Sequence, residues 1–340
     1  MDEIRCIGSA NNMTVGNCVL VTGGAGYIGS HAVLALHDAN IPVVVLDNLS
    51  TGRRAAVPEG AIFIDADLAE THRVREVIGD CRVDAVMHFA GSIVVPESME
   101  KPLAYYRNNT VNSHALIESC VALGVPRFIF SSTAAVYGQP ERIPALEETP
   151  TRPINPYGTS KLMTEWMLRD AAAANAGFNY VALRYFNVAG ADPVGRTGQS
   201  TPEATHLIKV ACQAALGQRD SLAVFGDDYD TADGTCVRDY IHVTDLADAH
   251  MKALEYLNTA GNSLVLNCGY GHGYSVREVI AAVERVVGHP FPLRQAPRRA
   301  GDPPALVAGT KRIREILKWN PRHDDLDFIV STALAWERTL

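Results

Sequence analysis

The chain has 340 residues, of which 47% are apolar and 20% charged, a composition that excludes disordered and fibrous proteins. Its 30 Lys and Arg residues against 38 Asp and Glu residues give a formal net charge of −8. Because an acidic chain repels nucleic-acid phosphates and anionic membranes, we expect neither as a partner. Any phosphate-bearing ligand must therefore be bound by a local cluster of donors.

The seven cysteines are scattered and show no Cys-x-x-Cys spacing, which favours a reduced, intracellular setting and predicts no metal site. Residues 1–17 are interpreted as an N-terminal extension, because they lack the apolar run of a signal peptide or anchor. No later stretch is long and apolar enough to span a bilayer. We therefore expect a cytoplasmic protein.

Short apolar runs alternate with longer amphipathic stretches through the first half of the chain. Strands are predicted at 18–22, 43–47, 61–64, 85–89 and 128–131, and helices at 27–39, 70–79, 102–123 and 157–175. Continuous apolar strands that alternate with helices predict a parallel sheet covered on both faces. The expected class is α/β, with a doubly wound parallel sheet of the Rossmann type.

The second half of the chain has a different character. Gly and Pro punctuate a long irregular segment after Arg184, and helices are predicted at 203–217, 245–258 and 275–287. We therefore expect residues 18–185 to form the Rossmann domain and residues 186–340 to form mainly a smaller, mixed lobe. The run 236–241 has the pattern of a buried strand, so we expect the first domain to be rejoined by about 235–258.

The strongest local signal is V-L-V-T-G-G-A-G-Y-I-G, a strand that leads into a glycine-rich turn and then a helix. Glycines let the backbone approach a pyrophosphate, and helix amides supply donors, so Gly23, Gly26 and Gly29 predict a dinucleotide site. The second strand ends at Asp47, where a carboxylate accepts from the ribose hydroxyls and repels a 2′-phosphate. NAD is therefore favoured over NADP. Asp67 follows the third strand, where it either accepts from the adenine amino group or caps a loop.

A second signal is Y-G-T-S-K, which places Tyr157 and Lys161 four residues apart at the start of a helix. A phenol with its usual pKa of about 10 is a poor base unless a neighbouring ammonium stabilises the phenolate. The hydroxyl-rich segment 131–133 ends the preceding strand, at the sheet edge where such folds bind ligands. A solvated helix face would explain an isolated Tyr-Lys pair, but this context favours proton transfer.

Many ordered runs together resemble the extended short-chain dehydrogenase/reductase family and, within it, the UDP-glucose 4-epimerases. The similarity covers nearly everything after residue 17. The runs are V-T-G-G-A-G-Y-I-G-S-H at 21–31, L-D-N-L at 46–49, H-F-A-G at 88–91, F-S-S-T-A-A-V-Y-G at 130–138, Y-G-T-S-K at 157–161, R-Y-F-N-V-A-G-A at 184–191, D-G-T-C-V-R-D-Y-I-H-V at 233–243 and A-P-R-R-A-G-D at 296–302.

The resemblance implies interconversion of UDP-glucose and UDP-galactose through hydride transfer to bound NAD, a 4-keto intermediate and hydride return to the opposite face. In this cycle Tyr157 is the catalytic base, Lys161 is its partner and an NAD ligand, and Thr133 assists at the sugar 4-OH. Ser132 belongs to the same wall of the site. No second substrate is required, since NAD is regenerated in each turnover.

The resemblance also implies two sets of binding residues. Those for NAD are Gly23, Gly26, Tyr27, Ile28, Gly29, Asp47, Asn48, Asp67, Leu68, Phe89, Ala90, Asn109, Ser131, Tyr157, Lys161 and Tyr185. Those for the UDP-sugar are Thr133, Tyr157, Phe186, Asn187, His206, Leu207, Val224, Phe225, Arg238, Arg299 and Asp302. Guanidinium groups suit a diphosphate on an acidic protein, although surface ion pairs, such as one between Arg238 and adjacent Asp239, are the commoner fate of an arginine. Val224 and Phe225 equally fit a core strand.

Other activities stay open at this point. Related reductases dehydrate or decarboxylate nucleotide sugars, and the dehydratases typically carry Asp-Glu directly after the active-site threonine. Here Thr133 is followed by Ala134 and Ala135, which disfavours dehydration. A nucleotide-sensing binding protein on a retained Rossmann fold is the alternative from another class. Such a sensor has no need of a tuned base, so the Tyr157 and Lys161 pair argues against it.

Two positions bear on the ligands, and two helices bear on assembly. Ile93 stands where some epimerases carry a lysine, a departure that affects cofactor retention. Leu306 matches a position whose bulk governs whether an N-acetyl sugar fits, so UDP-N-acetylhexosamines and UDP-xylose or UDP-arabinose stay alternatives. Family members are often homodimers through two long helices, here 102–123 and 157–175. We therefore expect a homodimer, although packing on the sheet explains the same amphipathic pattern.

Overall fold

The computed structural model describes residues 18–201, 204–259, 261–299 and 302–340. The predicted extension 1–17 and the first residue of the predicted helix 203–217 lie outside the described residues. The strands are β1 Cys18–Thr22, β2 Val43–Asp47, β3 Ile62–Asp65, β4 Val83–His88, β5 Arg127–Ser131, β6 Asn179–Tyr185, β7 Asn187–Ala189, β8 Leu222–Phe225, β9 Val237–Arg238, β10 Tyr240–His242, β11 Leu264–Cys268, β12 Tyr274–Ser275, β13 Leu293–Ala296 and β14 Ala305–Leu306.

The helices follow the same alternation as the strands. They are α1 Tyr27–Asp38, α2 Thr71–Asp80, α3 Val95–Glu100, α4 Pro102–Tyr105, α5 Asn112–Ala122, α6 Pro156–Ala174, α7 Leu207–Ala215, α8 Val243–Asn258, α9 Val276–Val287, α10 Lys311–Ile316 and α11 Leu326–Glu337. Short 3₁₀ turns occur at Arg54–Ala56 and Ala134–Tyr137, and a π-helical turn at Tyr106–Val111. No helix in the described part of the chain is long and apolar enough to cross a membrane.

One seven-stranded parallel sheet contains β1 to β6 and the later strand β11, in the order β11-β6-β5-β4-β1-β2-β3. Successive residues of β1 enter two separate cores, since Val19 and Val21 pack on one face and Leu20 on the other. Apolar strands need helices on both faces, so this alternation explains the two layers. The predicted α/β class with a doubly wound parallel sheet is confirmed.

The sequence predicts one helix over 102–123, and the structure differs. The chain forms α4, then a π-helical turn, then α5. Within the turn lies buried Asn109, whose side-chain amide hydrogen-bonds both the N–H and the C=O of Ser92. A π turn shifts side-chain directions that a regular helix would fix, so periodicity alone does not reveal it.

The sequence also predicts one buried strand over 236–241, and the structure differs there. The segment forms β9 and β10, which belong to two different small sheets. Asp239 lies between them, and its carboxylate accepts from the backbone N–H groups of Tyr270, Gly271 and Ala308. The later strand that joins the large sheet is β11, which pairs with β6, while α8 packs against α1. The domain division itself stays a prediction.

Candidate functional site

The glycine-rich turn between β1 and α1 has a backbone that other residues would disturb. Gly23 has φ +72°, and a Cβ added there would lie 2.6 Å from the backbone nitrogen of Ala90. A Cβ on Gly29 would lie 2.1 Å from the carbonyl oxygen of Gly23. Helix α1 begins directly after Gly26, so its unpaired first-turn amides face the turn. Together these features fit a dinucleotide pyrophosphate.

Asp47 ends β2 beside this turn, as predicted from the sequence. Its Oδ2 accepts from the backbone N–H of Ala25 at 2.9 Å, and its Oδ1 from that of Leu49 at 2.8 Å. Burial raises the pKa of Asp47, and these two hydrogen bonds oppose the rise. The carboxylate is therefore held in one orientation, next to the amides that would meet the cofactor.

Asn48 and Asp67 meet at the ends of β2 and β3. Asn48 Nδ2 donates to Asp67 Oδ2 at 2.6 Å, and Asp67 Oδ1 accepts from the backbone N–H of Ala69 at 2.8 Å. The loop-capping interpretation of Asp67 thus matches its contacts, and its contact with adenine stays a prediction. Leu68 is buried in the core beneath this loop.

Tyr157 lies in the first turn of α6, where the sequence places it. Asn155 caps this helix, because its Oδ1 accepts from the backbone N–H of Gly158 at 2.8 Å. Burial raises the pKa of Tyr157, and a hydrogen bond with the Thr133 side chain opposes the rise. Thr133 Oγ1 also accepts from the backbone N–H of Ala135 at 3.1 Å, which leaves its proton for the Tyr157 oxygen. The Thr133 side chain therefore favours the ionised form of the Tyr157 phenol.

Lys161 is buried at the carboxyl end of β5. Its Nζ donates to the carbonyl oxygen of Ser131 at 3.1 Å and lies 5.0 Å from the ring centroid of Phe130. Burial lowers the pKa of Lys161 to about 8. A Cβ added at Gly91 would lie 3.5 Å from Nζ, so the glycine keeps the space beside the ammonium open. This arrangement suits a cation that meets a ligand.

The loop after β4 closes over the glycine-rich turn. Phe89 and Ala90 both donate their backbone N–H to the carbonyl oxygen of Thr22, and the Phe89 ring lies 4.7 Å from that of His250. Asn109, predicted as a cofactor ligand, uses its amide on Ser92 and on the Ser160 hydroxyl. Its contacts position the loop, and direct contact with the cofactor stays a prediction. Ile93, in the same loop, is 44% exposed.

The hydroxyl-rich segment 131–133 forms one wall of the site, here called the hydroxyl wall, and the carboxyl end of β6 adjoins it. The Ser131 hydroxyl donates to the Tyr185 hydroxyl at 3.0 Å, and burial raises the pKa of Tyr185. Phe186 is buried in a small apolar cluster that includes Leu306. Asn187 begins β7 and donates its backbone N–H to the carbonyl oxygen of Asp239. The predicted cofactor and sugar residues of this segment therefore follow one another along a single edge.

The predicted nucleotide residues from three distant parts of the chain come together. Asp302 accepts from Arg299 Nε at 3.1 Å and lies 3.8 Å from Arg238 Nη2. The Arg299 guanidinium lies 4.5 Å from the ring centroid of Phe225, which follows buried Val224 in β8. Arg238 thus pairs with Asp302 rather than with adjacent Asp239, which is committed to backbone amides. Two guanidinium groups share one carboxylate, a local positive site.

His206 and Leu207 lie at the start of α7. His206 lines a small cavity with Tyr27, and burial lowers the pKa of the histidine. The Tyr27 hydroxyl donates to the carbonyl oxygen of Gly190 at 2.7 Å, while Ile28 and Leu207 pack against the core. The structure therefore places His206 and Leu207 near α1, and their contacts with the sugar stay a prediction.

One feature of the site is missed by sequence reasoning. Glu165 and Arg184 form a buried ion pair, with Arg184 Nη2 donating to Glu165 Oε2 at 2.6 Å. The Ser132 hydroxyl donates to Glu165 Oε1 at 2.5 Å. An arginine between Leu183 and Tyr185 in an apolar strand is the available signal, because a buried cation requires a partner. The described residues contain no group of three or more His, Cys, Asp or Glu side chains that could hold a metal.

Comparison with known proteins places these features in a wider group. Residues 19–269 match the model of the NAD dependent epimerase/dehydratase family. A UDP-glucose 4-epimerase of Azospirillum brasilense is 64% identical over 95% of this chain and 92% of its own length. The crystal structure of UDP-glucose 4-epimerase from Brucella ovis in complex with NAD is 46% identical, with a TM-score of 0.91 over 94% of this chain and 98% of that one.

A third relative is named for two different sugars. The structure of the UDP-Glc/GlcNAc 4-epimerase from Campylobacter jejuni is 50% identical, with a TM-score of 0.84 over 96% of this chain and 100% of that one. The similarity to all three proteins spans nearly the whole chain, including the glycine-rich turn and the hydroxyl wall.

Proposed function

The chain belongs to the NAD dependent epimerase/dehydratase family, and from this we propose that it is a UDP-glucose 4-epimerase that interconverts UDP-glucose and UDP-galactose. The observation that carries the proposal is the placement of buried Tyr157 and Lys161 in the first turns of α6, with Lys161 bonded to Ser131 at the hydroxyl-rich end of β5. Epimerisation at C4 needs a base for the 4-OH and a hydride carrier beside it, and both requirements meet at this edge.

NAD is the cofactor of this family, and the residues present fit it. Gly23, Gly26 and Gly29 would receive the pyrophosphate, Asp47 the adenosine ribose, and Lys161 the nicotinamide ribose. When bound, NAD would supply a reversible hydride acceptor for C4 of the sugar, which becomes a 4-keto sugar. Return of the hydride to the opposite face of that ketone gives the epimer. The protein supplies orientation and the acid and base groups.

Proton transfer is assigned to Tyr157. Its ionised phenolate oxygen would accept the proton of the sugar 4-OH as hydride leaves C4, and the resulting phenol would return that proton after the sugar has turned over. The Thr133 side chain favours the ionised form of Tyr157. We assign the Lys161 ammonium, one helical turn further along α6, the same role, because a nearby positive charge stabilises a phenolate. The Ser132 hydroxyl, predicted as catalytic, donates to Glu165 and forms the back of this wall.

Nucleotide binding is assigned to Arg238, Arg299, Asp302 and Phe225. The guanidinium groups of Arg238 and Arg299 can donate hydrogen bonds to a diphosphate. These bonds would replace part of the pairing of the two arginines with Asp302. The guanidinium of Arg299 lies over the ring of Phe225, and the ring also offers an apolar surface against which the uracil base can pack. A local positive site of this kind explains how a chain of net charge −8 would bind an anionic nucleotide sugar.

Dehydration and a nucleotide-sensing role have less support. Dehydration needs further groups that remove the proton next to the C4 ketone and protonate the departing hydroxyl, yet Thr133 is followed by Ala134 and Ala135, whose methyl side chains cannot transfer protons. A nucleotide sensor would not need a Tyr157 held by Thr133. UDP-N-acetylhexosamines remain a second candidate substrate class, because Leu306 packs with Phe186 at the sugar end and a relative acts as a UDP-Glc/GlcNAc 4-epimerase. UDP-xylose and UDP-arabinose are the further alternative.

The test is direct. Purified protein is incubated separately with UDP-galactose, UDP-N-acetylgalactosamine and UDP-xylose, without a reductant, and the products are separated by chromatography. Formation of UDP-glucose from UDP-galactose supports the proposal, and the relative rates rank the sugars. A dehydrated or decarboxylated product moves the assignment to a sibling activity, and no product even with added NAD favours the sensor.

We also propose that two copies associate through α4 to α6. Exposed apolar side chains cluster along these helices and the preceding α3, namely Met99 at 59%, Leu103 at 80%, Val111 at 58% and Trp166 at 46% exposure. Apolar side chains concentrated on one region of a surface favour an interface. Sedimentation equilibrium checks this, since a monomer at micromolar concentration would contradict it. The cytoplasmic setting stays a prediction.

A further inference from the structure

A buried ion pair lies directly behind the wall that carries Thr133. Glu165 and Arg184 are 4% and 7% exposed at their side chains. Arg184 Nε lies 3.0 Å from Glu165 Oε1, and Arg184 Nη2 lies 2.6 Å from Oε2, so the pairing is bidentate. Glu165 accepts a third donor, the hydroxyl of fully buried Ser132. A bidentate carboxylate in low-dielectric surroundings is a fixed anchor rather than a mobile side chain.

The anchor extends away from the wall through further buried groups. Arg184 Nη1 donates to the Tyr137 hydroxyl at 3.0 Å, and that hydroxyl donates to Asn267 Oδ1 at 2.6 Å. Asn267 Nδ2 donates to the carbonyl oxygen of Ala145 at 2.8 Å, which also accepts from the backbone N–H of Gly309. The network therefore joins β5, α6, β6 and β11 to the segment that follows β14.

We propose that Glu165 is a positioning residue for the reaction, which through the Ser132 hydroxyl holds Thr133 against Tyr157. This inference rests on the proposed epimerase function and deepens its account of the proton-transfer site. It gives Ser132 a definite part, as the link between the buried carboxylate and the residue that touches the sugar.

The catalytic tyrosine and the buried carboxylate lie on the same helix. Tyr157 and Glu165 both belong to α6, eight residues and so about two turns apart. Thr133 is related to that helix at two points: its side chain lowers the pKa of Tyr157, and the hydroxyl of the adjacent Ser132 hydrogen-bonds Glu165. Loss of the second point frees the backbone that orients the Thr133 hydroxyl. Misplacement of a catalytic group by about 1 Å is enough to cost roughly 10²-fold in rate.

The alternative is that Ser132 itself donates to the sugar. A serine hydroxyl has one proton, and here that proton is given to Glu165 Oε1. Ser132 is also fully buried, whereas Thr133, the next residue, reaches the site with 7% exposure. The structure thus separates the two roles between neighbours, with Ser132 directed inward and Thr133 directed outward.

The test is Ser132→Ala in the full chain, because it removes one link and leaves the ion pair intact. We expect kcat with UDP-galactose to fall about tenfold while KM changes less than about twofold. Since the Thr133 hydrogen bond opposes the raised pKa of Tyr157, its loss moves the acidic limb of the rate profile to higher pH. The matched control is Ser119→Ala, which removes a buried hydroxyl from α5 with no contact to the wall.

The outcomes separate this inference from the proposed function. Wild-type protein that forms no UDP-glucose from UDP-galactose defeats the function itself. Active wild type with an unshifted pH limb and unchanged kcat in Ser132→Ala defeats only the positioning role. A rise in KM alone assigns the Ser132 hydroxyl to sugar binding and also overturns the inference. A loss of melting temperature with normal kinetics, as expected of Ser119→Ala, reduces Ser132 to a structural contact.

Discussion

The ammonium of Lys161 lies 5.0 Å from the ring centroid of Phe130, and burial lowers the pKa of the lysine to about 8. The ring face and the carbonyl oxygen of Ser131, 3.1 Å away, offset only part of the loss of hydration. A lysine in this state holds its proton at neutral pH but at a cost in folding free energy. The site therefore retains a positive charge, which the proposed function uses for cofactor binding and proton transfer.

This cost predicts a pH dependence of stability in NAD-free protein. The pKa of Lys161 is lowered from 10.5 to about 8, so the unfolded chain binds more protons between those values. The free energy of unfolding should therefore rise with pH across this window, by about 3 kcal/mol in total from this group. Lys161→Met should lack that rise and should be more stable than wild type below pH 8. Urea unfolding at several pH values measures the difference.

The control is Lys101→Met, because Lys101 is 63% exposed and pairs with Glu97 on the surface. Its removal should change the free energy of unfolding by less than about 1 kcal/mol at every pH. Parallel curves for wild type and Lys161→Met across pH 8 to 10.5 would show that the buried lysine carries no such penalty.

The second prediction concerns the base. Tyr157→Phe keeps the ring in its buried place and removes only the hydroxyl that Thr133 contacts. We expect turnover of UDP-galactose to fall at least about 10²-fold, the usual contribution of a general base, while bound NAD is retained. Rapid-quench assays and absorbance of the purified protein measure the two quantities. Tyr256→Phe, in α8, is the control that should leave turnover unchanged, and an active Tyr157→Phe enzyme would remove Tyr157 from this role.

The third prediction concerns cofactor choice. Asp47 is fixed by the N–H groups of Ala25 and Leu49, so its charge faces the region where a 2′-phosphate would lie. Asp47→Ala should therefore weaken NAD binding and relax the preference against NADP, by about tenfold in the ratio of dissociation constants. Asp65→Ala is the matched control, since Asp65 lies opposite Asp47 at the end of β3 and is exposed. Equal selectivity in both variants would deny Asp47 the role.

Much of the first domain is predictable from the sequence because its signals are local. Strands β1 and β2 begin and end at the predicted residues, since continuous apolar runs flanked by turn residues have few alternatives. Helix α6 begins one residue before the predicted start, at Pro156, where Asn155 supplies the cap. The placement of Tyr157 and Lys161 on that helix follows from the same local signals.

Contacts between distant segments are what the sequence could not supply. The π-helical turn that aims Asn109 at Ser92 depends on a partner loop seventeen residues away. The two short strands at 236–241 are separated because Asp239 accepts from amides that belong to three later residues. The pairing of Glu165 with Arg184 likewise joins a helix and a strand. Charge in an apolar run indicates a buried partner but does not say which one.

The last prediction uses two adjacent arginines that the structure distinguishes. Arg299 contacts Asp302 and the ring of Phe225, beside Arg238, whereas Arg298 pairs with Asp228 and lies over Tyr229. If the first group binds the UDP moiety, Arg299→Gln should raise KM for UDP-galactose about tenfold and leave kcat nearly unchanged. Steady-state kinetics with UDP as a competitive inhibitor measure the loss, because UDP lacks the sugar and reports the nucleotide contacts alone.

Arg298→Gln is the control for that measurement, since it removes the same charge from the neighbouring residue. Its effect on KM should stay within about twofold if local contact, and not the general field of the protein, governs binding. Raised salt should weaken UDP binding more in wild type than in Arg299→Gln, because the variant has one fewer charge pair to screen. Equal effects of the two substitutions would instead mean that the nucleotide senses only the summed charge of this surface, and the assignment of Arg299 and Asp302 would fail.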